Sequence, residues 1–117
     1  MCGRYTHSTE IKDFLRRLGI SDPQPWTPRY NIAPTQQAPV VVYETGKPVL
    51  KMMQWGLVPS WAKDPAIGNQ MINARIETVD EKPSFRKPYK SQRCLVMADG
   101  FYEWRKVYSF SHITIFA

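Results

Sequence analysis

Only one stretch of this 117-residue chain carries an uninterrupted helical period. Ile11, Phe14, Leu15 and Leu18 recur at i, i+3, i+4 and i+7. Ser8 or Thr9 is placed to cap that helix at its start and Gly19 to end it. Pro23, Pro25 and Pro28 then stop any continuation and make residues 20–29 an extended connector. The rest reads as short strands and irregular segments. Residues 4–6 form the first strand. Pro39 to Glu44 turns at Thr45-Gly46-Lys47 and returns as Val49 to Trp55, a hairpin pattern. Met71 to Ala74, Gln92 to Met97 and Phe101 to Trp104 are further strand candidates, the last two joined by the turn Ala98-Asp99-Gly100. The fold class is therefore α+β, in a single domain over 1–117.

Two segments do not fit that scheme. GLVPSWAKDPAIG at 56–68 has no period, and an irregular run of this length in a small domain is expected to line a site. At the other end, residues 112–117 read as an apolar strand with no charge or turn residue to blunt it. The domain is accordingly expected to be incomplete at its C-terminus, and an unpaired strand edge there would favour self-association.

Sixteen Lys and Arg against ten Asp and Glu give a net charge of +6, a balance that suits polyanionic partners. Five of the basic residues, Lys82, Arg86, Lys87, Lys90 and Arg93, fall in one stretch without an acidic residue and alternate with Phe85 and Tyr89. Such a stripe binds a phosphate backbone or is a solvated loop. Two cysteines and two histidines are too few for a disulfide framework or a zinc centre, so both thiols are expected to be free, with no metal and no cofactor. No apolar run is long enough for a membrane span, and no basic leader precedes an apolar stretch, which points to a cytoplasmic protein without a membrane partner.

Cys2 directly follows Met1. Removal of that methionine would expose a 1,2-aminothiol, whose unperturbed amine and thiol pKa values of about 8 and 8.5 leave both groups partly nucleophilic near neutrality. A thiolate with its own amine as base attacks acyl carbons. Alternatively, the amine condenses with an aldehyde and the thiol closes the imine into a thiazolidine. From the residues alone both chemistries stand, beside the plain reading of a small residue at a terminus.

Five ordered blocks narrow the choice: MCGRYT at 1–6, RYNIAPTQQAPVV at 29–41, WGLVPSWAKD at 55–64, MINARIETVDEKPSFR at 71–86 and RCLVMADGFYEW at 93–104. Together they resemble the SRAP family, the SOS response-associated peptidases that process abasic sites. The resemblance implies a mainly antiparallel β fold with a barrel-like sheet core and few helices. It implies cross-linking of the N-terminal cysteine to the aldehyde of an abasic site in single-stranded DNA, with self-processing peptidase and lyase activities, in a nucleoid-associated or, in a eukaryote, nuclear setting.

Residue by residue, Cys2 matches the family's nucleophile, Asn73 the asparagine of its NAR motif and Glu103 the glutamate of its GFYEW motif. A carboxylic acid shielded by Phe101, Tyr102 and Trp104 suits the dehydration step of imine formation. Arg4 and Arg75 match phosphate-contacting arginines, and Pro34 and Trp61 are candidates for stacking against unpaired bases. Trp55 and Trp104 are expected in the core, Cys94 as a buried inert thiol, and Glu77 as a partner of Arg75 or a turn cap. The family's HxRMP histidine has no match, since His112 lacks the following Arg-Met-Pro; neither His112 nor His7 is assigned a role. Two other readings remain: a glutamine amidotransferase-like N-terminal nucleophile amidohydrolase, which also starts Met-Cys-Gly, and a non-catalytic single-stranded DNA-binding remnant.

Overall fold

The structure, a computed structural model, describes residues 2–21, 27–107 and 110–116, with side chains as far as Trp104. Pro23 and Pro25 of the expected connector lie outside the described residues. The chain divides into two compact units, Met1–Ala33 with Met97–Ala117, and Pro34–Val96.

The first unit is a four-stranded antiparallel sheet in the order β2-β1-β6-β7, built from β1 (Tyr5–His7), β2 (Arg29–Ile32), β6 (Gly100–Val107) and β7 (Phe110–Phe116). β1 is only three residues long, yet Tyr5, Thr6 and His7 are all buried. A short strand buried on both faces needs partners for its polar groups. Asp99, in the turn before β6, supplies much of this. Its Oδ1 accepts the Thr6 hydroxyl at 2.5 Å, and its Oδ2 accepts the Ser8 N–H at 2.6 Å, the Ser8 hydroxyl at 2.7 Å and the Thr9 N–H at 2.6 Å. The Asp99 N–H in turn donates to Thr6 O at 3.0 Å.

This arrangement accompanies a departure from the expected helix start. α1 (Lys12–Arg17) has Ile11 at its N-cap with no side-chain cap, while Asp99 takes the Ser8 hydroxyl and the Thr9 N–H. Its other end follows expectation. Gly19 adopts φ +78°, its N–H bonds Arg16 O, and the Ile20 N–H reaches Leu15 O, a Schellman termination that needs a residue tolerant of left-handed backbone. Leu15 and Ile32 are fully buried.

The second unit holds a three-stranded antiparallel sheet, β4-β3-β5, from β3 (Gln37–Glu44), β4 (Lys47–Gln54) and β5 (Leu95–Val96). The β3–β4 hairpin turns on Thr45 and Gly46, both at positive φ, as a two-residue primed turn requires. Thr45 is an uncommon residue for that conformation. The turn is braced by the Tyr43 hydroxyl donating to Gly46 O at 2.7 Å and by Lys51 reaching Glu44 at 2.5 Å. Ala38, Val40 and Val41 of β3 form the buried centre of the sheet.

Five expectations change here. Neither sheet closes into a barrel: β2 and β7 end one sheet and β4 and β5 the other, whereas closure requires the terminal strands of a sheet to pair. Residues 71–74 are irregular rather than a strand, and the strand expected over 92–97 is reduced to β5. The basic run belongs to a helix, α2 (Pro83–Ser91), and a 3-10 helix, Pro65–Gln70, capped by Asp64 accepting the Ala66 N–H, occupies part of the segment expected to be irregular. Proline hid α2 in the sequence. Pro83 sits at the first helical position, where a missing N–H costs nothing, although Pro88 does interrupt the interior ladder.

Burial alone acts to raise the Asp99 pKa, but the hydrogen bonds from Thr6, Ser8 and Thr9 outweigh it and hold the carboxyl well below the usual carboxylate range. A depressed folded-state pKa contributes stability above the unfolded value, near 3.9, and loses it as pH falls below that value. An Asp99→Asn amide can keep its oxygen toward the three donors on Oδ2, so the main loss is the charge on the acceptor. We expect a cost of about 2 kcal/mol at pH 7. In urea melts the gap between wild type and variant should be constant above about pH 5 and narrow below pH 4; a gap of equal size at pH 3 and pH 7 contradicts this account.

Candidate functional site

In the first unit, the ladder between β1 and β6 pairs Tyr5 with Phe101 and continues one step beyond β1, where the Tyr102 N–H donates to Arg4 O at 2.9 Å. The Cys2 thiol donates to that same carbonyl, with Sγ at 3.4 Å. Continuing the register sets Glu103 level with Gly3, the residue next to Cys2. Sheet pairing therefore gathers Cys2, Arg4 and Glu103 at one edge of this unit, with Cys2 and Glu103 both half-buried. Cys2 is not in a disulfide.

The flanking strand β2 orders the same edge. Arg4 Nη1 donates to the Asn31 side-chain oxygen at 3.1 Å, and the Tyr102 hydroxyl donates to Tyr30 O at 2.7 Å. An amide acceptor orients the exposed guanidinium without neutralising it. Asn31 was not singled out in the sequence, although it lies in the RYNIAPT block; the signal was a polar residue on a strand that pairs with the strand beginning beside Arg4. Trp104, expected in the core, is 66% exposed, and Phe101 is also exposed, so neither shields Glu103 as a buried wall would.

In the second unit, the segment leading into Asn73 is held by hydrogen bonds to its carbonyls rather than by a strand ladder. Trp55 is the hub. Its carbonyl accepts the Thr35 N–H at 2.9 Å, its N–H donates to Gln36 O at 3.0 Å, and its indole N–H donates to Ile72 O at 2.8 Å. Two residues on, the Leu57 N–H donates to Met71 O at 3.0 Å. The end of β4 thus holds the turn after Pro34 on one side and the segment leading into Asn73 on the other. Between these anchors Gly56, at φ +130°, passes against Gly68 so closely that a Cβ would lie 2.5 Å from Gly68 O. That crossing shapes the loop carrying Trp61, which is 58% exposed.

Pro34 and Asn73 are half-buried and Arg75 is exposed. Glu77 is exposed in a turn where the Thr78 N–H donates to Arg75 O. Cys94, expected to be buried, is exposed as a residue, yet partial burial of its thiol still pushes its pKa up, which disfavours the thiolate. In the buried β1, burial pushes the His7 imidazole pKa down; Asp99 opposes this and Arg29 adds to it. Among the described residues no group of His, Cys, Asp and Glu side chains is arranged to hold a metal ion, and no helix is long and apolar enough to cross a membrane.

Residues 1–113 match the SRAP family, SOS response associated peptidase. The abasic site processing protein YoqW of Bacillus subtilis (strain 168) is 46% identical over 110 residues, covering 92% of this chain and 49% of that protein. The abasic site processing protein HMCES of Pongo abelii is 39% identical over 97 residues, covering 73% of this chain and 27% of its own length. The chain thus spans about half the length of the curated Bacillus relative it matches. A crystal structure of a protein from Bacteroides thetaiotaomicron is similar with a TM-score of 0.71 at 26% identity, over 96% of this chain and 52% of that one. A Bordetella bronchiseptica protein, at 18% identity and a TM-score of 0.73 over 97% of this chain and 56% of its own, shares the fold. With the match running through all five sequence blocks and both compact units, the chain belongs to the SRAP family.

Proposed function

We propose that this protein captures abasic sites in DNA, single-stranded at the lesion, through a thiazolidine formed on Cys2. The observation that carries the reading is the docking of Cys2 onto the Arg4 carbonyl beside β6, the strand that bears Glu103. The names of the relatives, abasic site processing proteins, supply the substrate class.

The chemistry follows from the groups present. Loss of Met1, which lies outside the described residues, frees the Cys2 amine. That amine attacks the aldehyde carbon of the ring-opened abasic sugar and gives a carbinolamine. Glu103 donates a proton to the departing hydroxyl, water leaves, and an imine remains. Cys2 Sγ then adds to the imine carbon while its proton passes to the nitrogen, which closes the five-membered ring with no further reactant. Asn73 orients the amine or a sugar hydroxyl, since an amide hydrogen-bonds without competing for the proton. Arg4 and Arg75 bind phosphates, and Pro34 and Trp61 pack against unpaired bases. If the imine-activated sugar eliminates its 3′-phosphate before sulfur closes the ring, the strand breaks at that C–O bond, and water then hydrolyses the imine and frees the Cys2 amine, which is lyase activity. Removal of Met1 is the self-processing peptidase step.

One assay separates this reading from an amidohydrolase and from a purely binding protein. Incubation with abasic and intact oligonucleotides should give a covalent, heat-stable shift on denaturing gels with abasic DNA alone. Glutaminase activity without a shift would favour the amidohydrolase, and reversible binding alone the binding protein.

Intact mass should show a protein lacking Met1. Cys2→Ser should abolish the heat-stable adduct, because oxygen closes a far less durable ring; an equally stable adduct from the serine variant rejects the thiazolidine. Glu103→Gln should slow adduct formation by about 10²- to 10⁴-fold, read in a time course, with little change in DNA affinity.

Phosphate binding has its own signature. Log affinity for single-stranded DNA should fall with log salt by about 0.7 per phosphate neutralised. Arg4→Ala and Arg75→Ala should each make that slope shallower by about one such step. Slopes unchanged in both variants would return these arginines to structural roles.

A further inference from the structure

We propose that Gly3 is a specificity-determining residue of the Cys2 site, kept without a side chain so that the carbon framework of a sugar aldehyde can lie between the Cys2 amine and Glu103. This deepens the function proposed above and rests on it for the identity of the lesion.

The fold alone does not account for a glycine here. Glycine loses more conformational freedom on folding than any other residue, so an ordered position that does not need it is better filled by alanine. Gly19, Gly46 and Gly56 do need it, since each takes a positive φ, and a Cβ on Gly68 would stand 3.2 Å from Gly56 O. Gly3 has neither reason. Its φ lies outside the left-handed region, and among the described residues nothing apart from its chain neighbours comes within 4 Å of the place a Cβ would take. Nor does it trail from the strand. It is half-buried, between Cys2, whose thiol donates to Arg4 O, and Arg4, whose carbonyl also accepts the Tyr102 N–H.

The open space falls where the chemistry needs it. Extending the register of β1 and β6 sets Gly3 opposite Glu103. Directly opposed residues of an antiparallel pair share a face, with Cβ atoms about 5 Å apart, so a side chain at position 3 would stand beside that of Glu103. The Cys2 amine is one residue away. When it adds to an aldehyde, the carbinolamine hydroxyl must face the Glu103 carboxyl to leave as water, and the attacked carbon then lies over the Gly3 backbone. In formaldehyde that carbon carries only hydrogen. In an abasic sugar it carries a chain of carbons that must fit in the same place. The overall change is the same for both: C–N and C–S bonds form at the aldehyde carbon, and its oxygen leaves in one water that takes one hydrogen from the amine and one from the thiol. Gly3 therefore leaves the reactivity of the aminothiol untouched and selects by the size of what the aldehyde carries.

The test follows adducts on the N-terminal peptide by mass spectrometry, in the full chain and in Gly3→Ala, Gly3→Val and Gly3→Leu, each confirmed to lack Met1. The probes are formaldehyde, 2-deoxyribose 5-phosphate and an abasic oligonucleotide. Formaldehyde rates should be the same in every protein. With the other two probes the rate should fall stepwise from glycine through alanine and valine to leucine, reaching about 10²-fold, the loss that a misplacement of about 1 Å can cause. Urea melts should show Gly3→Ala to be at least as stable as the wild type, so that its slower capture is not a folding defect.

Equal rates for each probe across the folded variants overturn the proposal. A full loss already at alanine with no further fall does so too, since it would mean that the turn into Arg4 needs glycine's backbone, and a parallel fall with formaldehyde would mean that the amine or thiol has been displaced. A wild type that takes formaldehyde but not the sugar phosphate also overturns it. The sugar phosphate keeps Gly3 and the cross-linking apart. Abasic adducts formed equally fast by the wild type and every variant remove only the role of Gly3. A wild type that forms no abasic adduct, with sugar phosphate rates that still fall with side-chain size, upholds Gly3 and removes only the cross-linking.

Discussion

One carboxylate ties the beginning of the chain to its far side. Asp99 collects the Thr6 hydroxyl, the Ser8 hydroxyl and N–H, and the Thr9 N–H, donors about ninety positions away in sequence. Closing so long a loop is entropically costly, and β1, at three residues, has little ladder of its own to offset it. Charge-assisted hydrogen bonds are roughly twice as strong as neutral ones, so four of them on one anion are a sensible device for pinning a short strand. The consequence reaches the proposed chemistry. With β1 fixed against β6, Arg4 O meets the Tyr102 N–H, and Cys2 is folded back on that carbonyl rather than trailing from the strand.

The Pro34–Val96 unit solves a different problem, which is to hold an irregular segment without a ladder. Backbone polar groups removed from water need partners wherever the chain runs. Here the partners come from Trp55 and Leu57 at the end of β4, which bond Thr35, Gln36, Met71 and Ile72. The near contact of Gly56 with Gly68 lets the intervening loop leave and return at almost one point. Loop residues can then be both exposed and fixed, as the position of Trp61 requires.

What could be read in the sequence was what local physics decides. The apolar period of α1, its Gly19 terminus and the Thr45-Gly46 hairpin all depend on residues a few positions apart, and each is present. The failures arise where distant residues intervene. Ser8 and Thr9 are good helix caps by type, yet a carboxylate in the distant turn before β6 takes the Ser8 hydroxyl and the Thr9 N–H. Residues 71–74 read as a strand, but Met71 O and Ile72 O are bonded by Leu57 and Trp55 just after β4 instead of by a ladder partner. α2 lies in a stretch that reads as a basic stripe or a solvated loop, since its two prolines weaken any helical pattern, although Pro83 is at the position where proline starts helices. The candidate site was legible chiefly through the five family blocks. Composition alone could not have chosen Asn73 or Glu103 over other polar residues, because neither has a local pattern that marks it.

Charge placement connects the fold to the proposed partner. The net excess of six positive charges would count for little if acidic groups stood among the cations proposed to meet DNA. Several acids are occupied instead: Glu10 with Lys12, Asp13 with Arg16, and Glu44 with Lys51 across the hairpin. These exposed pairs add little stability, but they cancel charge locally. Asp99 is enclosed by neutral donors. Arg4, by contrast, is oriented by the Asn31 amide and keeps its full charge, and the residues of 82–93 carry cations without an acid between them. Acids placed beside lysines and arginines elsewhere leave cations clear at Arg4 in one unit and along α2 in the other, so that each unit keeps positive potential of its own to attract a polyanion.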